Sequence, residues 1–155
     1  MGVGRHANLV YIIDFGLSKE FRDPTTHMHI PCNTGLGSTR TNNFASVNNH
    51  LGIELKRCND LESLAYILIF LFCGFLPWQG SQNDILTLKL EITSHVMFEK
   101  LPVEIQSLLQ YSQSLSFKAE PNYDQFYYLF NDALLQDGHK GGLSNLVFDW
   151  DVTRD

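Results

Sequence analysis

The feature that most constrains this chain is its apolar stretch from Leu64 to Leu76, interrupted only by Ala65, Tyr66 and Gly74 and ended by Pro77. Asn59-Asp60 stands before it and can cap a helix N-terminus, while Gly74 with Pro77 closes it. A helix that is apolar nearly all round has to be surrounded. The stretch therefore reads as a helix buried at the centre of a domain. It is shorter than the roughly 20 residues that a bilayer span needs. With 44% hydrophobic and 18% charged residues, the 155-residue chain can bury such a helix in one globular core.

The rest of the chain is arranged around that stretch without internal repeats. Leu9-Val10-Tyr11-Ile12-Ile13 is β-branched and aromatic and predicts a short strand, stopped by Asp14 and Gly16. From Arg22 to Asn49 the chain is rich in Asp, Thr, Asn, His, Gly and Pro, which predicts one long loop; loops of that length in compact domains usually serve function. Ile85, Leu86, Leu88, Ile92 and Val96 have helical spacing over Asp84 to Val96. Pro102 suits the first turn of a next helix, with Val103, Ile105, Leu108, Leu109 and Leu115 as its apolar stripe. A last helix is predicted from Tyr123 to Leu135, ended by Gly138, Gly141 and Gly142, with Phe126, Tyr127, Tyr128 and Phe130 as core packing. The expectation is one short strand, one long loop and four helices.

Charge and cysteine usage exclude several partners. Eleven Lys and Arg against seventeen Asp and Glu leave a net charge of −6, without a basic run, so neither nucleic acid nor an anionic membrane is expected as a partner. The start, Met1 to His6, has no apolar core of a signal peptide, and His6 stands where a myristoylation signal needs Ser or Thr. Cys32, Cys58 and Cys73 are odd in number and widely spaced, which argues against a disulfide framework and for a reducing address, cytoplasmic with the nucleus open. Cys58 and Cys73 read as core thiols. His27, His29 and Cys32 have metal-like spacing, yet only Asp23 is near enough to serve as a fourth ligand, and the reading favours no metal.

By spacing alone, Asp14-Phe15-Gly16 is a turn after a strand. Its neighbours change that. Tyr11 to Asp23 (YIIDFGLSKEFRD) resembles the start of the activation segment in casein kinase I family protein kinases. The resemblance continues through His29-Ile30-Pro31, Phe44-Ala45-Ser46-Val47-Asn48, His50 to Glu54, Asp60-Leu61-Glu62-Ser63-Leu64 and Leu76 to Gly80. It returns in scattered pieces at Ser114-Leu115, Phe117, Pro121, Tyr123-Asp124, Leu129-Phe130 and Phe148-Asp149-Trp150.

The resemblance implies a protein kinase-like fold, represented by its C-terminal lobe: mainly α, with a short N-terminal β element and a long activation-segment loop. Residues 1–155 would then be a partial kinase domain. The lineage's chemistry is phosphoryl transfer from magnesium ATP to Ser or Thr of protein substrates. Asp14 would hold magnesium at the nucleotide, Phe15 would pack beneath it, and Gly16 would be the hinge. Asp60 would be buried at the head of the central helix and brace the catalytic loop; Glu54, His50 and Trp78 would be structural.

The departures bear on activity. A kinase also needs a Gly-rich loop, a strand Lys and a catalytic-loop Asp with its Asn, and none of these motifs is present in the sequence. The chain alone is thus expected to be inactive, with a missing N-lobe or another protein as partner. A kinase-derived, non-catalytic binding module or a gene fragment is the alternative. In the substrate anion site Asn43 replaces the family's Arg, and Arg40 has appeared where a Gly usually stands. The usual Lys-rich stretch after Gly80 reads Ser81 to Leu88, with no cation.

Overall fold

The computed structural model describes residues 9–37, 43–80 and 85–136. Its α-helices are α1 (Val47–His50), α2 (Arg57–Cys73), α3 (Ile85–Leu90), α4 (Val96–Glu99), α5 (Val103–Ser114) and α6 (Tyr123–Gln136); 3-10 turns lie at Phe15–Leu17 and Ile92–Ser94. The chain divides into two compact units. One is Phe21–Leu129, and the other includes the described residues 9–20 and 130–136.

The organising contact of the larger unit is α2 against α5. α2 buries Cys58, Glu62, Ala65, Tyr66 and Ile69, and α5 buries Ile105, Leu108, Leu109 and Ser112. Both sets recur at three- and four-residue intervals, so each lies on one helix face. Ala65 is fully buried, and its small side chain lets the helices approach closely. α2 starts three residues before the predicted Asp60, because Asn59 acts from the third helical position: its Oδ1 accepts from the Lys56 N–H at 2.9 Å. At the other end Gly74 adopts φ 79° and donates its N–H to the Phe70 carbonyl at 2.7 Å. Lys56 and Arg57 then tie the start of α2 to the loop after α5, through the carbonyls of Leu115 and Ala119.

Four expectations need correction. Leu9–Ile13 forms no strand; among the described residues the only β-type pairing is the isolated bridge between Arg22 and His29. A β-prone run needs a neighbouring strand to take up its N–H and C=O groups, and no such neighbour exists among the described residues. Second, α2 is not surrounded: Leu64, Ile67, Leu71 and Phe72 are exposed, as is Phe75 just beyond it. Third, the helix expected over Asp84 to Val96 breaks after Leu90. The β-branched pair Ile92-Thr93 falls in a 3-10 turn, and His95 starts α4 by accepting from the Met97 N–H through Nδ1 at 3.1 Å. Fourth, only Phe126 of the α6 aromatic cluster is buried, against Tyr111, whereas Tyr127 and Tyr128 are exposed and meet edge to face. The glycines predicted to end α6 lie outside the described residues, as does the Phe148-Asp149-Trp150 motif. Among the described residues no helix is long and apolar enough to cross a membrane.

Candidate functional site

Asp14 sits in the left-handed region, φ 62° and ψ 68°, at the head of the Phe15–Leu17 turn. That conformation is unfavourable for most L-residues and tolerable for Asp, whose carboxylate can bond nearby amides. Here Oδ1 accepts from the Gly16 N–H at 3.4 Å. The turn is closed by Ser18, whose N–H and Oγ both donate to the Phe15 carbonyl, at 2.9 and 2.7 Å. A Cβ on residue 16 would stand 3.3 Å from the Asp14 carboxylate, so glycine keeps that side of the turn open. The Asp14 carboxylate is exposed. Phe15 does not pack beneath it: the ring is 66% exposed. Magnesium bound through phosphates and waters asks the protein for one or two carboxylates, and Asp14 meets that minimum. Among the described residues no group of three or more His, Cys, Asp or Glu gathers into a fuller metal site.

In the larger unit the loop from Phe21 to Gly37 is built by local polar bonds. Asp23 Oδ1 accepts from the N–H groups of Thr25 and Thr26, at 2.9 and 2.7 Å, which turns the chain and holds the Asp23 carboxyl below its usual range. His27 takes φ 56° at the end of that turn. The returning His29 ring packs on Phe21 and meets Phe117 edge to face at 4.8 Å. Farther along, Glu54 is buried and accepts from Asn33 Nδ2 at 3.1 Å, while Leu36 donates its N–H to the Gly52 carbonyl. Gly52 has φ 64°, and a Cβ there would come within 2.4 Å of the Leu36 carbonyl oxygen. Only glycine fits.

The loop's far end, Asn43 to His50, rests on a buried lysine. Lys89 is fully buried; its Nζ donates to the Ala45 carbonyl and lies 3.1 Å from His50 Nε2. The rings of Tyr66 and Trp78 complete the enclosure, with the ammonium 4.8 and 5.1 Å from their centroids. Trp78 is itself fully buried, edge-on to Tyr66, and donates from Nε1 to the Asn43 carbonyl at 2.8 Å. Beside them Glu62 Oε1 accepts from the Val47 N–H at 3.1 Å and from the Tyr66 hydroxyl at 2.7 Å. Burial lowers the Lys89 pKa to about 8 against a smaller upward pull from Glu62. Tyr66 moves strongly upward for the same first reason, with Glu62 adding to it. Val47, Lys56, Cys58, Glu62, Leu90 and Ser112 line an adjoining cavity of about 220 Å³.

Of the residues singled out in the sequence, the structure joins Asn43 to Trp78 and Glu54 to Asn33. Asp14, Phe15 and Gly16 form their own turn in the other unit. Arg40 lies outside the described residues. Asp60 departs from expectation: it is exposed on the first turn of α2, and partial desolvation pushes its carboxyl up. The loop it was expected to brace is not part of this sequence. Glu62, two residues on, is the buried acid of this helix. The sequence reading missed Glu62, Tyr66 and Lys89. A signal was available, since Lys89 is spaced four residues after Ile85 and three before Ile92, on the apolar face of its segment. No protein-family model matches the chain.

Proposed function

We propose that this chain carries the magnesium-binding turn and activation segment of a casein kinase I-like serine/threonine kinase, and that alone it transfers no phosphate. The observation that carries the reading is Asp14: an exposed carboxylate on a left-handed turn, heading the ordered series of motifs that runs to Gly80. Magnesium and ATP, when bound, would supply the phosphoryl group and neutralise its charge. The chain's contribution would be one hard oxygen and a shaped peptide-binding loop. The Lys and the catalytic-loop Asp that position phosphate and substrate are not in the sequence.

The test is a chimera in which residues 1–155 follow the N-terminal lobe and catalytic loop of a casein kinase I enzyme. Magnesium-dependent phosphorylation of casein is expected from the folded chimera, with loss on Asp14→Asn, and none from the 155-residue chain. A folded but inactive chimera, or one indifferent to Asp14→Asn, refutes the reading. With Asn43 in place of an Arg and no cation from Ser81 to Leu88, the chimera should show little preference for primed over unprimed peptides. A tenfold preference abolished by Arg40→Ala would instead mean that Arg40 has rebuilt the anion site.

One observation favours the alternative, a non-catalytic binding module. Leu64, Ile67, Leu71 and Phe75 form an exposed apolar row along α2 and its end, uninterrupted by charge. Such a row suits the apolar face of another helix.

A further inference from the structure

We infer that the His50–Lys89 contact is an acid-sensitive latch, which holds the Ala45–Ile53 segment to α3 while His50 is neutral and releases it when His50 takes up a proton. An ammonium only donates, so His50 Nε2, 3.1 Å from Lys89 Nζ, must accept. The single proton of the neutral ring is then on Nδ1. A second proton can enter only at Nε2, where it would replace an acceptor with an N–H⁺ facing an ammonium. The hydrogen bond would become a contact between two cations.

The surroundings leave little relief for that clash. Lys89 is fully buried and is held from the other side by the Ala45 carbonyl and by the Tyr66 and Trp78 rings. α2 faces the pair with Glu62 and Tyr66, and the Glu62 Oε1 is already taken by the Val47 amide and the Tyr66 hydroxyl. α3 supplies Lys89 itself. Burial and then Lys89 both hold His50 below its ordinary pKa of 6.5, so the latch is closed at neutrality and opens only below that ordinary range. α1 has only four residues. Its stability comes from its anchors, namely the Ser46 cap, the Val47–Glu62 bond and Lys89, rather than from its own ladder. Removing one anchor therefore loosens the whole segment. This inference stands independently of the kinase reading.

The test is amide hydrogen exchange in the segment Asn49–Ile53, whose N–H groups bond to Ser46, Val47, Asn48 and Asn49 carbonyls. After correction for intrinsic exchange, protection should fall at least tenfold between pH 7.5 and pH 5.0. His50→Gln, which keeps an acceptor and cannot protonate, should abolish that fall. Equal pH dependence in both proteins overturns the latch. Nitrogen-15 chemical shifts of His50 give a second, direct readout that needs no variant. A bare Nε2 at pH 7.5 is expected, and a ring protonated on Nε2 with a bare Nδ1 overturns the proposal. In Lys89→Met the His50 midpoint should rise towards 6.5; an unmoved midpoint refutes the coupling.

Discussion

Replacing Lys89 by Met should remove a rise in stability that the unmodified chain gains in mild alkali. Lys89 titrates near 8 in the folded chain and at its ordinary 10.5 when unfolded. Between those values the unfolded chain holds the proton and the folded chain does not. Stability then rises with pH, because its slope follows the protons bound in the unfolded state minus those bound in the folded one. A gap of about 2.5 pH units at about 1.36 kcal/mol each gives about 3 kcal/mol across the window. Below pH 8 both states are protonated and the contribution is flat. Met keeps the length and apolar stem, so the enclosure between Tyr66 and Trp78 stays filled. At pH 7 the variant loses the bonds to Ala45 and His50 but also a buried charge, and these offset one another to a large extent. Urea denaturation at steps from pH 7 to 10.5 would measure the difference. The native chain should gain about 2–3 kcal/mol on Lys89→Met over that range, most of it above pH 8. Other groups that titrate there are common to both proteins and cancel. Parallel stability profiles would refute the assignment of a depressed lysine.

Glu62 and Asp60 should respond oppositely. Glu62→Ala strands the Val47 amide and the Tyr66 hydroxyl and leaves Lys89 without its nearby acid, costing about 3–5 kcal/mol in denaturation at pH 7. Asp60→Asn should change stability by less than about 0.5 kcal/mol, since the residue is exposed. Its raised pKa means the native carboxylate is disfavoured as pH rises through it, so any benefit of the substitution should grow as pH rises past the ordinary carboxylate range and vanish in stronger acid. Gly52→Ala, which sets a Cβ 2.4 Å from the Leu36 oxygen at φ 64°, should cost about 1–3 kcal/mol; an unchanged midpoint would mean the two loops are not in contact. The exposed α2 row predicts self-association at micromolar concentration by light scattering, reduced by Leu71→Asp with Phe75→Asp. A monomer in both forms would refute that.

What the sequence reveals and what it hides follow from the range of the interactions involved. The last two long helices and the Gly74 stop are legible because spacing, Pro102 and a glycine cap are local properties. The Asp14 turn is legible as a motif, but its left-handed conformation is a backbone state that residue spacing does not specify. Leu9–Ile13 misleads because propensity describes what a segment favours once it has a partner, and the partner is a tertiary fact. α2 misleads in a related way. Its composition is apolar all round, yet Glu62, Ala65, Tyr66 and Ile69 are buried while Leu64, Ile67 and Leu71 are exposed.

The Lys89 enclosure shows most clearly why a site of this kind escapes a linear reading. It includes Ala45 before α1, His50 at the end of α1, Tyr66 on α2, Trp78 beyond it and Lys89 on α3, five residues spread over forty-five positions. Only Lys89, on the apolar face of its segment, stands out locally. Together they put a cation where leucine would have filled the space without any desolvation cost. An apolar side chain would hold α3 against α2 equally well, but it could not choose one carbonyl and one imidazole nitrogen. The ammonium does choose, and so it fixes the register of Ala45 to His50 against α3, with Trp78 fixing Asn43 in the same way. The loop end is thereby positioned by directed hydrogen bonds as well as by apolar contact. A loop held by such bonds keeps one shape while closed and can be let go by one proton. Apolar packing alone would give neither property.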